Sequence, residues 1–591
     1  MAHARRSFTA AQIAEAIMED DESEDDDSTS SEDDSSDIER EVEEDEPSQE
    51  VVWKKLRGME FHPRHFPFSA HPGVKDVNDN SVYSLFRLYF TNDIVRIILE
   101  QTNIYAAQLR QNHPNRHKLS FTLRNWKPLD EDEFFVYLAV VFLMGIIHKP
   151  CLPSYWTTNH KLCTPFFAHL MSRDRFLQIR RVLHFNNNEH IERDDKLYKI
   201  RPFMDEMKKR FAEVYIPGPV LVVDEILELF KGRLSWKQFI PSKRERFGMK
   251  VFVAAESKTS YVVNFEVYVG NGTDYSVRSQ LPPLEKPYEE LNCGTKIVLH
   301  LIQSYLGKGY TLVLDNFFSS PELFKILLAC RTHAYGTLRS NRRLLPSTFS
   351  KTNPTKGETI AFEQDGMVCM RWSDPSKKSE KIVSTLSTKH ARNIIDSGKR
   401  KRTGDAILKP AVIADYTKNM GAVDNISKIV HPYKITRKGR KWFRKLFEMI
   451  TEMATLNSAV LFSQQSGTKK SYLEFLDQLV DDILLRHSRG ERRQVFRTTG
   501  RQQSVLRLLE RHFPAKIPPT AKRSNPTRQC HICSLKTDGD GQKLRRESRY
   551  FCPDCNVALC VAPCFRKFHT LSNPAASSQD VSSSDSEAED M

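Results

Sequence analysis

The hydrophobic positions between about residues 80 and 215 recur every three or four residues, the spacing of one helix face. Leu85 and Tyr89 follow this spacing, and Phe176 and Ile179 repeat it further on. The longest apolar run, 134–147, has fourteen residues and follows three acidic ones. Because a membrane helix needs about 20 apolar residues, this run predicts a buried core helix. The whole segment predicts a packed helical domain.

After Pro217 the pattern changes to the alternation of strands, with β-branched and aromatic runs. Residues 257–260 predict a hairpin turn between two of these runs, and further short strands in 331–410 predict a β-rich insertion. The predicted elements are strands at 219–223, 250–255 and 261–269, a helix at 297–305, a strand at 310–314, a helix at 321–330, and insertion strands at 359–362, 368–372 and 382–385.

Three aspartates follow apolar runs that are far apart in the chain: Asp224, Asp315 and Asp424. A single aspartate after a strand is usually a turn or cap residue. Three that converge on one point need cations between them, and Mg²⁺ prefers such hard oxygen ligands. Two Mg²⁺ ions at one site can activate a nucleophile and stabilise the leaving oxygen of a phosphoryl displacement. The trio therefore predicts a two-metal phosphoryl-transfer site.

The net charge of +13 conceals a strong asymmetry. Residues 19–50 contain nineteen acidic residues and one arginine, while the body, residues 51–579, carries a net charge of +35. A body this basic is typical of a protein that binds nucleic acid. The tail has too few apolar residues to fold and predicts disorder; its role is either solubilising or regulatory, through phosphorylation or competition with DNA.

The segment Tyr433 to Lys445 combines aromatic and basic side chains. Trp442 offers a surface for base stacking, which contributes roughly 1 to 3 kcal/mol per base, and its neighbours Arg437, Lys438, Arg440 and Lys441 can neutralise phosphates. The alternative is that Trp442 anchors a helix in the core. The arginines at 173, 175, 180 and 181 either contact phosphates or form the solvated face of a helix, with a preference for phosphate contacts because the whole body is basic.

Six cysteines lie close together near the C-terminus, in two pairs with two intervening residues and two single positions. Such pairs chelate one ion from a tight turn, and four thiolates complete a tetrahedral zinc site. With a nearby histidine there are seven candidate ligands for one or two Zn²⁺ ions, and an eighth could be His531 or a water molecule. The seven are Cys530, Cys533, Cys552, Cys555, Cys560, Cys564 and His569.

Several of these motifs together resemble the piggyBac family of transposases and transposase-derived proteins, over roughly residues 80 to 570. The matching segments are Trp156-Thr-Thr, Met171-Ser-Arg-Asp-Arg-Phe, Leu183-His-Phe-Asn-Asn-Asn, Lys199-Ile-Arg-Pro, Asp224-Glu, Phe230-Lys-Gly-Arg, Phe247-Gly-Met-Lys, Leu314-Asp-Asn, Tyr335-Gly-Thr and Tyr416 to Asp424.

The resemblance implies an RNase H-like (DDE transposase) core in which Asp224, Asp315 and Asp424 are catalytic metal ligands. It also implies that the helical region dimerises and binds double-stranded DNA, that Trp442 contacts the DNA end, that the cysteine-rich domain reads transposon ends, and that the target is TTAA. One position departs from the family: a further carboxylate is common three residues after the third aspartate, where this chain has Ser427.

The sequence as a whole predicts an α/β multidomain protein: an RNase H-like core with a β-rich insertion, a helical N-terminal region and a C-terminal zinc-binding module. Its predicted function is metal-dependent cleavage and transfer of DNA strands in the nucleus, by a homodimer without a membrane segment. The alternative is a chromatin or regulatory DNA-binding protein that has lost catalysis, which Ser427 favours. The basic run 399–402, which is predicted to lie on a loop, is a nuclear-import signal or a phosphate contact.

The predicted domains are an acidic tail (1–50), the helical dimerisation and DNA-binding region (51–215), the first part of the core (216–330), the insertion (331–410), the last part of the core (411–465), a basic helical linker (466–528), the zinc-binding domain (529–571) and an acidic tail (572–591).

Overall fold

The computed structural model describes residues 52–57, 61–75, 79–111, 123, 125–190, 194–241, 246–277, 281–375, 381–400, 404, 406–437, 439–468, 470–488, 512–519, 523–535, 542, 544–553, 555 and 557–570. The two predicted acidic tails, Lys438 and the basic residues 401–402 lie outside these ranges. The chain divides into two compact units, residues 1–488 and 489–591.

Helices dominate the first part of the larger unit, as the hydrophobic spacing predicts. Asp130 caps the apolar helix α3 by accepting the backbone N–H of Glu133 at 3.0 Å, and α3 is buried from Phe134 to Gly145. The predicted core helix is therefore present. No described helix has the length and apolar character needed to cross a membrane. The described helices here are α1 (Val82–Arg87), α2 (Asn92–Gln111), α3 (Glu131–Ile146), α4 (Pro165–Leu170), α5 (Arg173–Val182) and α6 (Arg201–Val214), with 3-10 turns at Leu152–Trp156 and Asn188–His190.

Most described strands of the larger unit join one mixed sheet. The strands are β1 (Lys54–Lys55), β2 (Gly73–Val74), β3 (Tyr215–Ile216), β4 (Val220–Leu229), β5 (Gln238–Phe239), β6 (Phe247–Glu256), β7 (Val262–Val267), β8 (Thr311–Leu314), β9 (His333–Thr337), β10 (Thr359–Gln364), β11 (Met367–Ser373), β12 (Ile382–Ser387), β13 (Ile394–Arg400) and β14 (Ala406–Pro410). The order along the mixed sheet is β1-β10-β11-β12-β9-β8-β4-β6-β5, and β7 pairs with β6.

The centre of this sheet has the strand, hairpin, helix and strand succession expected of an RNase H-like core. Antiparallel β4, β6 and β7 are followed by β8 and β9, which run parallel to β4. Two helices lie between these strands in the chain, α7 (Cys293–Ile302), continued by a 3-10 turn at Gln303–Tyr305, and α8 (Pro321–Ala329). Strand β4 is longer than predicted, because its pairing with β6 continues to Leu229 and Gly248.

The predicted insertion continues the sheet beyond β9. Strands β10, β11 and β12 pair antiparallel, and β12 pairs with β9. Strands β13 and β14 form a separate hairpin with largely exposed side chains. Lys399 and Arg400 belong to β13, so this part of the basic run lies on a strand instead of the predicted loop.

Of the last four helices of the larger unit, the first two pack against strands of the sheet and the other two pack mainly against helices. They are α9 (Ala411–Asn419), α10 (Ala422–Val430), α11 (Trp442–Ser466) and α12 (Tyr472–His487), with a 3-10 turn at His431–Tyr433. Helix α11 is largely buried and ends at Gly467, whose φ of 63° gives the left-handed conformation common after a helix C-terminus.

The smaller unit is built from short elements around the cysteines. Strand β15 (Ala515–Lys516) pairs with β18 (Tyr550–Cys552), so this fold begins upstream of the predicted boundary at residue 529. The other elements are β16 (Arg528–Gln529), α13 (His531–Ser534), β17 (Glu547–Ser548), β19 (Val557–Ala558) and α14 (Cys564–Thr570).

Candidate active site and metal centres

Asp224 and Asp315 come from neighbouring parallel strands. In the register of β4 and β8, Val223 is paired with Leu314, so the next residues, Asp224 and Asp315, are adjacent across the sheet. Asp315 directly follows β8, as predicted. Asp224 lies in the middle of β4 instead of at its end, because the alternating residues after it continue to pair with β6.

The charge around Asp315 is unfavourable to its ionised form. Burial raises the pKa of Asp315, and the carboxylate of Glu225 raises it further. The backbone N–H groups of Phe317 and Phe318 donate to Asp315 Oδ1 at 2.9 and 3.4 Å and, with the Lys250 ammonium, oppose this effect, but the pKa stays above its usual value. An added cation would relieve the excess negative charge.

Lys250 is held beside this carboxylate by two aromatic rings. Its Nζ atom lies 4.8 Å from the ring centroids of both Phe252 and Phe317, and the residue is buried. Contacts of this kind are favourable cation–π interactions. Lys250 belongs to the segment Phe247-Gly-Met-Lys, which carried the family resemblance without a predicted role of its own.

Asp424 reaches the same region from helix α10. It is exposed in the first turn of α10, and this helix packs against β4 and β6.

The hydroxyl group of Tyr416, on α9, is affected by the charges of all three aspartates. Burial raises the pKa of Tyr416, and the charges of Asp315, Asp224 and Asp424 raise it further, while its hydroxyl oxygen accepts a hydrogen bond from Thr337 Oγ1 at 3.4 Å. All three carboxylates therefore act electrostatically on one hydroxyl group.

The three aspartates are not a fully assembled ligand set. Among the described residues, the groups of ligand atoms that all lie within 4.8 Å of one another consist of cysteine and histidine. The roles of Asp224, Asp315 and Asp424 as metal ligands stay predictions. Ser427 lies one turn after Asp424 on α10 and is exposed, so the position of the missing carboxylate faces solvent beside the trio.

Trp442 begins α11 and is half-buried. Its ring meets the buried ring of Trp236 edge-on at 5.6 Å and that of Phe443 at 5.8 Å. The residue therefore combines an anchoring contact with an accessible part, and both interpretations of its role retain support.

The basic neighbours of Trp442 differ in their surroundings. Arg437 donates to the backbone carbonyls of Met144 at 2.7 Å and Lys149 at 3.3 Å, and Lys441 donates to that of Arg181 at 2.8 Å. Arg440 is exposed. Arg437 and Lys441 thus hold this segment against the helical region.

Other basic side chains are internal. Arg180 pairs with Glu448 at 2.8 Å, with both side chains buried, and Arg175 pairs with Glu133 at 2.6 Å. Buried Lys445 lies 3.2 Å from Glu228. The preference for phosphate contacts is wrong for Arg180, because it is buried against the carboxylate of Glu448, whereas the pair of Arg175 and Glu133 is partly exposed.

The cysteines and histidines of the smaller unit form two sets. One contains Cys530, Cys533, Cys560 and Cys564, and the other contains His512, Cys552, Cys555 and His569. The three cysteine pairs alternate between the two sets along the chain, an arrangement called cross-braced, which agrees with the prediction of up to two Zn²⁺ ions. The simpler prediction, in which the two cysteine pairs share one ion, is wrong, since the two pairs belong to different sets.

His512 supplies the eighth position, and sequence reasoning missed it. It was assigned to the linker, and the available signal was that it is the single histidine between residues 488 and 529. His531, the predicted candidate, instead packs edge-on against Phe568 at 5.7 Å. The pairing of β15 with β18 brings the chain near His512 to the second set.

The separations within each set suit four ligands around one ion. Cys533 Sγ lies 3.6 Å from Cys564 Sγ and 3.9 Å from Cys560 Sγ. Thiolates at about 2.3 Å from a tetrahedral ion are about 3.8 Å apart. In the second set, Cys555 Sγ lies 3.6 Å from both His512 Nδ1 and His569 Nε2. The other ring nitrogen of His569 is 2.8 Å from the carbonyl of Phe565, which orients the imidazole.

Comparison with known proteins agrees with this architecture. The family model described as Transposase IS4 matches residues 81–459. The chain belongs to the transposase IS4 family. Human PiggyBac transposable element-derived protein 3 is 24% identical over 503 residues, which cover 82% of this chain and 76% of the relative. Human PiggyBac transposable element-derived protein 5 is 20% identical over 441 residues, 71% of this chain and 79% of the relative.

A solved member of the piggyBac group shares the fold of this transposase-family chain. It is the cryo-EM structure of a piggyBac transposase synaptic complex with hairpin DNA, with a TM-score of 0.61 and 21% identity over 83% of this chain and 98% of that chain. The resemblance predicted from the motifs is thus confirmed, and so is the α/β fold class.

Proposed function

We propose that this protein cleaves and joins DNA strands in a metal-dependent reaction, with Asp224, Asp315 and Asp424 as the ligands of two Mg²⁺ ions. The supporting observation is that adjacent strands and helix α10 bring the three carboxylates to one hydroxyl group, that of Tyr416. Membership of a transposase family and a body charge of +35 agree with a DNA substrate.

The donor set fits Mg²⁺. All three residues offer hard oxygen atoms, and the raised pKa of Asp315 reflects a local excess of negative charge. When bound, the ions would supply an activated hydroxide or 3′ hydroxyl and neutralise the phosphate. The protein would position the ligands through the β4–β8 register, and Lys250 would help to keep Asp315 ionised.

The substrate and assembly are proposed from the family. The DNA in the solved piggyBac complex is a hairpin, and we propose that this chain processes transposon ends in the same manner, with TTAA as target. We further propose that it acts as a homodimer in the nucleus. Trp442 and the exposed Arg440 would contact the DNA end, whereas Arg437 and Lys441 would shape the segment that carries them.

We propose that each cysteine-containing set holds one Zn²⁺ ion. Four soft or borderline ligands without an open position are typical of a structural zinc site. Arg545, Arg546 and Arg549 are exposed between the ligand segments and would let this module contact the DNA of the transposon end.

A second candidate is a DNA-binding protein that has lost strand transfer. Ser427 favours it, because a hydroxyl group cannot replace a carboxylate as an anionic metal ligand. The two candidates share the fold, the zinc sites and the DNA surface, and they differ only in chemistry.

An excision assay on a TTAA-flanked element with matching terminal repeats separates them. The parent, Ser427→Asp and the inactive control Asp315→Asn would be compared at equal expression. Excision by the parent supports the first candidate and excludes the second. Excision only by Ser427→Asp supports a DNA-binding protein with a dormant site. If neither acts while both bind the ends, the strand-transfer proposal fails.

A further inference from the structure

The excursion of the chain between β4 and β6, residues 230–246, carries an exposed aromatic pair. Phe239 of β5 and Phe247 of β6 are directly opposite each other in the β5–β6 register. Their rings stack at 4.6 Å with an interplanar angle of 29°. They remain 42% and 45% exposed, although large aromatic side chains are usually well buried.

The segment that leads to this pair is anchored in the core, and the Ile240 N–H donates to the Arg246 carbonyl at 2.8 Å, so the pair has a defined position. Phe230 and Trp236 are buried, and Trp236 contacts Trp442 edge-on at 5.6 Å. A Cβ atom at Gly232 would lie 2.5 Å from the ring of Phe230, which keeps this turn tight. The exposed pair is therefore a built feature of the sheet edge, and Phe239 comes three residues after Trp236, which contacts Trp442.

The surroundings of the pair are basic. Lys231, Arg233 and Arg246 are exposed on the same excursion, and Lys237 Nζ lies 6.0 Å from the centroid of the Phe247 ring. Exposed rings among cations are the combination that binds single-stranded nucleic acid, because bases stack on the rings and phosphates meet the cations. An apolar protein partner would not require this charge.

The register also relates the pair to the aspartate site. Asp224 is paired with Val253, and side chains alternate along β6 without interruption down to Phe247, so Phe247 lies on the face of Asp224. Six residues at about 3.3 Å each separate the two levels by roughly 20 Å. This equals about six nucleotides when the intervening strand keeps the duplex rise of 3.4 Å per nucleotide.

We propose that Phe239 and Phe247 form a stacking surface for unpaired bases of a DNA strand that leads away from the aspartate site. The inference rests on the proposed DNA binding and adds a contact about six nucleotides from the reacting phosphate. It does not depend on whether catalysis is retained.

Binding of two fluorescent DNA probes by the full-length protein tests this surface. One probe is a duplex with a single-stranded tail of thymidines, and the other is the same duplex with blunt ends. The double variant Phe239→Ala/Phe247→Ala is expected to lose roughly 5- to 100-fold in affinity for the tailed probe, from the usual effect of removing a stacking ring. Its affinity for the blunt probe is expected to stay at the parent level.

Two control variants keep the result interpretable. Phe239→Tyr/Phe247→Tyr retains both rings and is expected to bind the tailed probe as the parent does, which separates stacking from folding. Phe166→Ala removes another partly exposed ring, on α4, and is expected to leave the tail-dependent affinity unchanged.

Several outcomes would overturn the proposal. The proposal fails if the double Ala variant loses affinity equally for both probes or for neither probe, or if the parent does not prefer the tailed probe. It also fails if light scattering shows that the parent is an oligomer and that the double Ala variant dissociates, because the pair would then be a contact between copies. A parent that binds neither probe would also sink the proposed function. If the double Ala variant and the parent bind the tailed probe with equal affinity, this inference alone is wrong.

Discussion

The aspartate site and the C-terminal metal module gather their ligands in opposite ways. In the module, four ligand atoms of each set lie within 4.8 Å of one another, and each set is chemically complete. In the aspartate site, Asp224 lies on β4, Asp315 directly follows the parallel strand β8 and Asp424 lies on α10, and the pKa of Asp315 is raised.

This difference reflects two uses of a metal ion. A closed set of thiolates and imidazoles stabilises a small fold that has little core of its own. An open set of carboxylates leaves coordination positions for water and phosphate, and its uncompensated charge lowers stability until a cation arrives. The proposed metal sites would thus separate stability and reactivity between the two units of the chain.

The largest expected effect, on strand cleavage, comes from removing one carboxylate of the aspartate site. Asp315→Asn should reduce metal-dependent strand cleavage by at least about 100-fold, since it removes a direct ligand and loss of an outer partner already costs 10- to 100-fold. It should also raise the melting temperature of metal-free protein, because the repulsion with Glu225 disappears.

Calorimetry with and without Mg²⁺ checks this prediction. Mg²⁺ should stabilise the parent and not the variant, and Asp274→Asn, at an exposed position, serves as the control. A variant that is less stable than the metal-free parent would contradict the description of the site as electrostatically strained.

In the C-terminal metal module, the loss of one ligand should lower stability instead of raising it. His512→Ala should lower the zinc content from two ions per chain to one, because each set would hold one ion in the proposed assignment, and should destabilise the smaller unit. His531→Ala, at the neighbouring histidine that packs on Phe568, should keep both ions. Native mass spectrometry measures the two contents. Equal loss in both variants would disprove the assignment of His512.

The charge balance at Asp315 can be tuned through Lys250. Lys250→Met should raise the pKa of Asp315 further, because the ammonium group lowers it. Since a protonated carboxyl group does not bind Mg²⁺, the pH at which Mg²⁺ stabilises the protein should shift upward. A pH series of melting temperatures measures this shift, and Lys250→Arg should show little of it. An unchanged midpoint in Lys250→Met would mean that the ammonium group does not act on Asp315.

The smallest effect is expected at a buried carboxylate that serves neither site. Burial raises the pKa of Glu452 to about 8 from 4.5, and Glu228 adds to the shift. The folded protein therefore holds this proton more tightly, so its stability should fall as the pH rises from above 4.5 through about 8. Glu452→Gln retains the acceptor for Ile435 N–H and should lack this dependence.

Urea unfolding at several pH values measures the slope. Asp477→Asn, at an exposed position of α12, should keep the slope of the parent. A Glu452→Gln variant that loses stability with pH as steeply as the parent would show that another group titrates.

Local patterns predicted much of the architecture, and the misses have physical causes. The helix α3 and the strand β8 follow from continuous apolar runs. The length of β4 was underestimated because Asp224 ended an apolar run while backbone pairing with β6 continued past it. Arg180 was assigned to the surface, since a sequence does not show that Glu448, 268 residues away, lies against it.

The sequence by itself determined the types of ligand, the acidic and basic blocks and the order of the elements, because spacing and composition act over a few residues. Only the tertiary structure decided which distant residues meet: the β4–β8 register puts Asp224 beside Asp315, and strand β15 brings the chain near His512 to Cys552. Such pairings arise from backbone hydrogen bonds between segments far apart in the chain, which leave no local pattern.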